Sequence, residues 1–435
     1  MGDLQIGILG IILLFVLIAL RMHIGIAMGL VALVGIALIV NSEAALTRLA
    51  ITAYEQTSFY LLSVIPLFVF MGEIAAVSGI STEAYYTVSK WLGHLPGGLA
   101  MATVGGCAAF AAVSSSSIAA AVTMVTVALP EMRQRNYAPR LGLGCIAAGG
   151  TLGILIPPST AFAVYGIITE QSIGKLFLAG ILPGILLTIL FWTVISIWAR
   201  LNPALGPGGP KASWRERLIS LKGMWAALVL FLIVIGGIYL GIVTVTEAAA
   251  LGAFAAVVIG LLRRRVTRVN FITSLMNTLR TTGMIFLLII GAMLFNYFLA
   301  LSGFTIMLGE WITKLPLSPI AILVLILLIF LVLGCLMDAF AMMILFVPIV
   351  FPVVIALGFD PIWFGVLNVI MMEMGMITPP IGINVFVLAG MARDVSITTI
   401  FRGIFPFVIA MAVGIGILVA FPQIALLVPF GMKGA

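Results

Sequence analysis

Two polar groups interrupt long apolar segments of the chain, and their residue types suit the binding of an ion. The first is a run of four serines, Ser114–Ser117, and the second is the carboxylate of Asp338, which follows Gly334. Hydroxyl, carbonyl and carboxylate oxygens are the ligands that hard cations prefer. An isolated carboxylate in apolar surroundings is costly unless its charge is compensated. The two groups therefore indicate cation binding.

A glycine- and proline-rich break follows each polar group. The first break runs over Gly149–Pro158, and the second contains Gly375, Thr378 and Pro379. Proline removes a backbone donor, clashes with the preceding helical turn and pushes the residue before it out of helical geometry. Each break therefore frees carbonyl oxygens. Together with nearby hydroxyl groups, these oxygens would form a site for a hard cation.

The landmarks in the two regions recur at one constant spacing. Four residues of the first region each have a counterpart 222 positions further along the chain. One offset over several landmarks is difficult to obtain by chance, so the chain contains an internal duplication. The pairs are Ser116 and Asp338, Pro130 and Pro352, Gly153 and Gly375, and Pro157 and Pro379.

The composition indicates whether these elements lie in water or in a membrane. The chain is 63% hydrophobic and 8% charged, whereas a soluble chain carries about 25% charged residues. We therefore expect an all-α polytopic membrane protein. The net charge of +7 then describes loops that face anionic lipid and gives no indication of nucleic acid. The cysteines lie in apolar stretches without CxxC spacing, which predicts neither a disulfide framework nor a transition-metal site; they are Cys107, Cys145 and Cys335.

The apolar runs and their interruptions divide the chain into four parts. A full membrane span needs about 20 apolar residues, so each interrupted run suits two half-length helices that meet at a polar tip and leave the membrane on the side they entered. The parts are N-terminal scaffold helices over 1–60, a first repeat over 61–200 with a hairpin at 97–130 and a broken helix at 141–168, a connecting loop and scaffold helices over 201–280, and a second repeat over 281–428 with a hairpin at 320–355 and a broken helix at 363–391.

The basic residues predict how this path is oriented. With the N-terminus outside, 17 of the 21 Lys and Arg residues lie on the cytoplasmic side, as the positive-inside rule requires. Both termini are then periplasmic. An odd number of crossings separates the starts of the two repeats, so the copies are inverted. The basic residues left outside are Arg48, Lys175, Lys314 and Lys433.

Inverted repeats with discontinuous helices are typical of secondary transporters. Hydrocarbon cannot satisfy unwound backbone, which therefore survives at membrane depth only where it is buried in protein or lines a cavity. Half-helix N-termini carry positive partial charge, which suits an anionic substrate. One broken-helix device can thus bind a sodium ion and a carboxylate side by side.

Seven motifs are distributed over essentially the whole chain: Ser114–Ala121, Gly149–Pro158, Gly174–Gly184, Leu336–Asp338, Asp360–Gly365, Thr378–Asn384 and Phe401–Pro406. In combination they resemble the large membrane subunit of tripartite ATP-independent periplasmic (TRAP) transporters. The resemblance implies a sodium-driven elevator with a scaffold and a mobile domain built from the two hairpins, in a bacterial inner membrane. It also implies a small membrane subunit of about four helices, and a soluble periplasmic binding protein that delivers an organic acid such as a sialic acid, a C4-dicarboxylate or a sugar acid.

The resemblance places sodium sites where the hairpin tips face the broken helices, and implies no other cofactor. Four serines without a glycine replace the family's usual Gly-Ser-Ser run at the first tip, which leaves open which oxygens coordinate. Candidate substrate contacts are Ser159, Thr160 and Asn384. The candidate sodium ligands are Ser114, Ser115, Ser116, Ser117, Gly153, Pro157 and Pro158 at the first site, and Gly334, Asp338, Gly375, Thr378 and Pro379 at the second.

Each of these interpretations has an alternative. Serines in membrane helices also bond their own i−4 carbonyl or join helices, and Asp338 also suits a structural acceptor. Glu73 and Glu373 suit ion or proton ligands, a scaffold ion pair or a subunit contact. For the whole chain, the alternatives are a sodium–carboxylate elevator that works without a binding protein, and an intramembrane serine hydrolase. The hydrolase would need a base within reach of the serine, and neither His23 nor His94 lies on an apolar segment.

Overall fold

A computed structural model describes residues 2–313 and 316–431 of the chain. All regular elements over these ranges are helices, which confirms the all-α prediction. Two of the basic residues used to orient the path, Lys314 and Lys433, lie outside the described residues. Three helices precede the first repeat: α1 (Asp3–Ala19), α2 (Ile24–Ile39) and α3 (Ser42–Ser58).

The first repeat begins with a short 3₁₀ turn, Tyr60–Ser63, that leads directly into a helix. A sharp turn at Gly79, which has a φ of 75°, separates this helix from the next. The helices are α4 (Val64–Val77), α5 (Ile80–Leu92), α6 (Gly98–Ser114), α7 (Ser117–Gln134), α8 (Pro139–Leu155), α9 (Thr160–Ile168) and α10 (Ile173–Leu201).

The connection between the repeats is partly helical, although its sequence is typical of a soluble loop. Backbone hydrogen bonds hold it to the loop before α6, since Gly97 donates to the carbonyl of Gly206 and Gly209 donates to that of Gly93. The elements are α11 (Trp214–Leu221), α12 (Trp225–Phe231), a π-helical segment at Leu232–Gly236, α13 (Gly237–Tyr239) and α14 (Val245–Leu262).

The second repeat starts within the longest helix of the described residues. It is followed by a short helix and then by the elements that correspond to the first hairpin and its break. The helices are α15 (Arg268–Leu301), α16 (Phe304–Thr313), α17 (Pro319–Gly334), α18 (Ala339–Ala356), α19 (Pro361–Ile377), α20 (Ile383–Met391), α21 (Ile397–Ala420) and α22 (Gln423–Phe430).

The boundaries of corresponding helices are separated by the same offset of 222 positions as the landmarks in the sequence. Helices α7 and α18 begin and end 222 positions apart, and so do α8 and α19. The peptide bonds Pro157–Pro158 and Pro379–Pro380, which share this offset, are both cis. The two copies therefore resemble each other element by element around each break. Their opposite orientation in the membrane stays a prediction.

The helices fit a multi-pass membrane protein. Among the described residues, seven helical segments are long and apolar enough to cross a membrane, and α8 with α9, bent by 46° at their break, would make an eighth. The hairpin arms differ from the expected half-length helices. They contain 16 to 18 residues, about 24 to 27 Å at ~1.5 Å per residue.

The first hairpin is longer than predicted because proline does not end its second arm. The spacing predicts a hairpin over 97–130, but α7 continues through Pro130 to Gln134. Helix α18 likewise contains Pro348 and Pro352 in its interior. Membrane helices tolerate such prolines because neighbouring helices and local adjustments satisfy the freed backbone groups.

The two broken helices form the centre of the molecule. Every residue of α8 from Leu141 to Leu155 is buried, and so is every residue of α19 from Ile362 to Ile377. The hairpins pack directly on them, α6 and α7 on α8, and α17 and α18 on α19. The first break therefore meets a hairpin tip inside the protein, and next to the second break Gly375 lies against the backbone of Gly334.

Candidate functional site

The first hairpin tip is a tight, buried polar turn. Helix α6 ends at Ser114 and α7 begins at Ser117, so only two residues connect the arms. Ser115 adopts a left-handed conformation with a φ of 52°, and the Ser116 hydroxyl caps α7 by accepting from the amide of Ala119 at 3.2 Å. Ser114, Ser115 and Ser117 are each at most 4% exposed.

The first tip is hydrogen-bonded to the first break. The hydroxyl of Ser115 donates to the carbonyl oxygen of Pro158 at 2.8 Å, and the hydroxyl of Thr160 donates to the carbonyl oxygen of Ser115 at 3.1 Å. The hydroxyl of Ser114 donates to the carbonyl oxygen of Ser116 at 3.2 Å. The tip thus gathers hydroxyl and carbonyl oxygens from both sides of the break.

Gly153 allows the backbone of the tip to touch α8. A Cβ added at Gly153 would lie 2.7 Å from the carbonyl oxygen of Ser116 and 3.0 Å from its carbon. Both atoms belong to backbone, so no side chain could move aside. The Ser116 carbonyl therefore lies directly against α8, as expected for a site built from peptide oxygens.

The second tip has a similar close approach. A Cβ added at Gly375 would lie 2.6 Å from the carbonyl carbon of Gly334 and 2.7 Å from its Cα. Asp338 caps α18, since its Oδ1 accepts from the amides of Phe340 at 3.0 Å and Ala341 at 3.4 Å. Asp338 thus has the role of a structural acceptor that was considered from the sequence. Its other carboxylate oxygen, Oδ2, takes no part in this cap.

The second tip is less closed than the first. The hydroxyl of Thr378 donates to the carbonyl of Met374 in its own helix at 2.6 Å, and the side chains of Pro379 and Pro380 are exposed, unlike those of the first proline pair. Within the described ranges, no hydrogen bond joins Asp338 to Thr378. The structure therefore brings the backbones of Gly334 and Gly375 together, while the hydroxyl of Thr378 is engaged with Met374.

Both tips line one cavity of about 180 Å³. Two helices from outside the hairpins, α4 and α15, close its other side with Glu73, Thr281 and Met284. The charged side chains among the described lining residues are Glu73 and Asp338, both acidic. The remaining polar lining consists of hydroxyl groups. The polar residues contributed by the tips and the first break are Ser114, Ser115, Ser116, Ser117, Thr160 and Asp338.

The two membrane-depth glutamates have different partners. Glu73 accepts a hydrogen bond at 3.0 Å from the amide nitrogen of Asn277, which joins α4 to α15. Glu373 is 1% exposed and accepts a hydrogen bond at 2.6 Å from the hydroxyl of Ser117. Its other oxygen, Oε2, has no hydrogen-bond partner among the described residues. Neither carboxylate forms an ion pair with a Lys or Arg in the part of the chain that the structure describes.

An exposed ion pair joins the far end of the first hairpin to the loop between α20 and α21. One nitrogen of Arg133 contacts both carboxylate oxygens of Asp394, at 2.7 and 2.8 Å. The hydrogen bond from Arg133 lowers the pKa of Asp394 below its ordinary value. The two repeats are therefore connected at this surface as well as at the buried Ser117–Glu373 contact.

A family model described as the DctM component of the tripartite ATP-independent periplasmic transporter matches residues 11–424. The chain belongs to this TRAP transporter family. The resemblance drawn from the motifs is thus confirmed. Because its relatives are transporter permeases, this DctM-family chain is a transporter subunit and the enzyme alternative is not favoured.

Two relatives are similar over most of their length. The chain is 37% identical over 383 residues to the C4-dicarboxylate TRAP transporter large permease protein DctM of Pseudomonas aeruginosa, covering 88% of this chain and 89% of that one. It is 32% identical over 373 residues to the sialic acid TRAP transporter large permease protein SiaM of Vibrio cholerae, covering 86% of each. The YdaH transporter of Alcanivorax borkumensis, a solved structure, shares the fold with a TM-score of 0.66 at 16% identity, covering 89% and 90% of the two chains.

The candidate substrate residues of this DctM-family chain fall in different places. Thr160 lines the cavity. Ser159 is fully buried and caps α9 by accepting from the amide of Phe162 at 3.2 Å. Asn384 is also fully buried, and its side-chain amide has no hydrogen-bond partner within residues 2–313 and 316–431. Neither Ser159 nor Asn384 is part of the cavity lining.

Two residues of the site and one contact are not identified by the motifs. Thr281 faces the cavity from α15, Asn277 holds Glu73, and Glu373 binds Ser117. Because Glu373 places a carboxylate inside an apolar stretch, the sequence does indicate that this residue needs a partner. The sequence offers no means of choosing a partner 256 residues away.

Proposed function

We propose that this chain is the large permease subunit of a sodium-coupled transporter that takes up an organic acid across the bacterial inner membrane. One observation carries the proposal: both hairpin tips, each with its candidate cation site, line a single cavity. An anion in this cavity would lie next to both groups of oxygen ligands. Binding of the substrate and binding of the coupling ions would then be coupled because their sites are adjacent.

The charges of the cavity support coupling to a cation. Its charged lining residues, Glu73 and Asp338, are acidic, and its other polar groups are uncharged hydroxyls and backbone. An organic anion is repelled by carboxylates at short range in a medium of low dielectric constant. Sodium ions held at the tips would reverse this balance. The substrate and the ions would therefore bind together or not at all.

The relatives support a carboxylate as the substrate. Their names include transporters of C4-dicarboxylates and of sialic acid, and both compounds carry carboxylate groups. By analogy with the family, this chain would work with a small four-helix membrane subunit and would receive its substrate from a soluble periplasmic binding protein. That binding protein would supply most of the selectivity, since the cavity offers few groups that distinguish one acid from another.

The transport step is proposed as an elevator motion. The hairpins and broken helices would form the mobile domain, because they pack on each other around α8 and α19. Helices α4, α14 and α15 would belong to the scaffold, with the N-terminus and the C-terminus on the periplasmic side. The loaded domain must move and the half-loaded domain must not, which requires that the ions favour the closed state of the site.

No contact around the serines favours a hydrolase. The hydroxyl groups of the first tip are engaged with Ser116, Pro158, Ala119 and Glu373. None of their hydrogen bonds within the described residues involves a histidine. An elevator that works without a binding protein would share the hairpins and tips, but membership of the tripartite family favours uptake from a binding protein.

Reconstitution tests the proposal. The chain and its small subunit are placed in liposomes, and uptake of labelled sialic acid or succinate is measured with the binding protein encoded beside it. We expect uptake to require both a sodium gradient and the binding protein. Uptake that persists when choline replaces sodium would contradict the coupling, and uptake from free substrate would favour the alternative that needs no binding protein.

A further inference from the structure

The cavity between the hairpin tips has one carboxylate that belongs to neither tip. Glu73 lies in α4, is partly buried, and forms the wall that faces the tips together with Thr281 and Met284 of α15. Sodium bound at the tips would compensate Asp338 and the carboxylate of the substrate. Glu73 belongs to the other wall, so it would still present its own charge to the ligand.

Asn277 holds this carboxylate in place. Its side-chain nitrogen donates to Oε2 of Glu73 at 3.0 Å, across the contact between α15 and α4. Hydrogen bonds to charged groups are stronger than those between neutral groups, so Oε2 is firmly engaged. The other oxygen, Oε1, accepts no hydrogen bond within the described residues. Glu73 is therefore held by one oxygen and keeps the other available to a ligand in the cavity.

We propose that Glu73 selects organic acids that carry a hydroxyl group at the end remote from the tips and rejects acids that carry a second carboxylate there. The inference rests on the proposed function and names its substrate class, a compact hydroxy acid with one carboxylate. An ionised carboxylate accepts hydrogen bonds but donates none. A ligand hydroxyl would donate to Glu73, whereas a second ligand carboxylate would face it as another acceptor of the same charge.

The size of the cavity brings the remote end of a ligand close to this wall. The volume of about 180 Å³ is below the roughly 300–1,000 Å³ of pockets for drug-sized ligands. An acid whose carboxylate lies at the tips therefore also reaches the wall formed by α4 and α15. Like charges repel strongly in a medium of low dielectric constant, and so small a cavity leaves little room for water between them.

The other polar groups of the cavity suit the same class of ligand. Thr281 lies on the wall with Glu73, and Thr160 lies at the first break. A hydroxyl group both donates and accepts, so these residues can pair with further hydroxyl groups of a substrate. None of the described lining residues is a Lys or an Arg, the side chains that bind carboxylates through charge-assisted hydrogen bonds. The cavity therefore has no basic partner for a second carboxylate.

Three acids with the same five-carbon chain test this selection, because they differ only at one end. Pentanoate ends in a methyl group, 5-hydroxypentanoate in a hydroxyl group, and glutarate in a second carboxylate. The full chain, purified with its small subunit, is titrated with each acid in sodium chloride and again in choline chloride. Thermal unfolding is followed by tryptophan fluorescence, and the midpoint for each acid is taken from the shift in Tm.

Two variants separate the charge of Glu73 from a general loss of negative charge. Glu73→Gln removes the charge and retains an acceptor oxygen. Glu55→Gln is the matched control, because Glu55 is exposed on α3 and is not part of the cavity lining. The Tm of each variant in choline without any acid shows whether it is folded.

In sodium, the native chain and Glu55→Gln should bind 5-hydroxypentanoate about tenfold more tightly than pentanoate or glutarate, as expected for one hydrogen bond to a charged group. Glu73→Gln should abolish the discrimination against glutarate, since a glutamine amide can donate to a carboxylate. It should still favour 5-hydroxypentanoate over pentanoate, because its amide oxygen accepts from the hydroxyl group.

The outcomes separate this inference from the proposed function. Binding of glutarate by the native chain as tight as that of 5-hydroxypentanoate, or binding of none of the three acids, would overturn the inference and leave sodium binding intact. A Glu73→Gln variant with an altered Tm but native ratios of the three midpoints would also overturn it, because Glu73 would then be merely structural. A native chain whose Tm does not respond specifically to sodium would overturn the proposed function, and this inference with it.

Discussion

Ser115 donates a 2.8 Å hydrogen bond to the carbonyl oxygen of Pro158, 43 residues further along the chain. Proline at positions 157 and 158 ends α8, and the break frees carbonyl groups that hydrocarbon could not satisfy. The hairpin tip therefore supplies the hydrogen-bond donor that water would supply to such a carbonyl in a soluble protein. This relationship explains why a polar tip faces the proline break in the first repeat.

Ser115→Ala should weaken the first tip. The substitution leaves the buried Pro158 carbonyl without its donor, at a cost of about 1–3 kcal/mol. We expect a lower Tm and a higher sodium midpoint, both measured by thermal unfolding in sodium and in choline. Ser220→Ala is the control, because Ser220 is also buried but donates within its own helix. Equal behaviour of the two variants would show that the tip does not depend on this hydrogen bond.

Gly153→Ala should separate the first tip from α8. The new methyl group would meet the Ser116 carbonyl at 2.7 Å, and since both sides are backbone, the tip has to move. We expect sodium-dependent uptake to be lost. Gly416→Ala, in α21, introduces the same methyl group where nothing lies within 4 Å, and it should leave uptake unchanged. Uptake retained in Gly153→Ala would refute a site built on this contact.

Asp338→Asn should separate the charge of Asp338 from its capping role. Asparagine caps helices as well as aspartate, so α18 should stay intact while the second cation site loses its charge. We expect the sodium midpoint to rise about tenfold, which corresponds to about 1.4 kcal/mol, with a nearly native Tm in choline. Asp338→Ala should also lose the cap, at a cost of about 1 kcal/mol. An unchanged sodium dependence in Asp338→Asn would remove the second site from the account.

The Arg133–Asp394 ion pair should make a small, acid-sensitive contribution to stability. Arg133 lowers the pKa of Asp394 in the folded chain, so the contribution is complete above the ordinary aspartate pKa and is lost as the pH falls through the lowered value. Because the pair is exposed, the change in Tm should be small. The difference in Tm between the native chain and Asp394→Asn, measured from neutral to acidic pH, should shrink towards zero. A difference that stays constant over this range would contradict the assignment.

The sequence was sufficient to locate the parts of the site that depend on local chemistry. An aspartate or a cluster of serines inside an apolar run is costly unless it has a partner, and glycine and proline interrupt a helix where they stand. Both tips and both breaks therefore lie close to where they were predicted. Family membership was readable for a related reason, since the motifs that carry it are short and keep their spacing.

The sequence was insufficient where tertiary packing determines helix ends, the placement of side chains and their distant partners. The hairpin ends after Gln134 and not at Pro130, because neighbouring helices compensate the missing backbone donor. Ser159 turned out to cap α9 and Asn384 to lie away from the cavity, since the rotation of each short helix about its axis is set by its neighbours. The partner of Glu373 could not be inferred, because nothing local distinguishes Ser117 from the other serines.

The central claim is that an organic anion and sodium ions occupy one site between the hairpin tips, and flux of radioactive sodium tests it most directly. The chain and its small subunit are reconstituted without an imposed sodium gradient, and the binding protein is added outside, either empty or loaded with substrate. The account predicts that the loaded protein alone drives sodium inward, and that Asp338→Asn abolishes this movement. Substrate entry without any movement of sodium would contradict it.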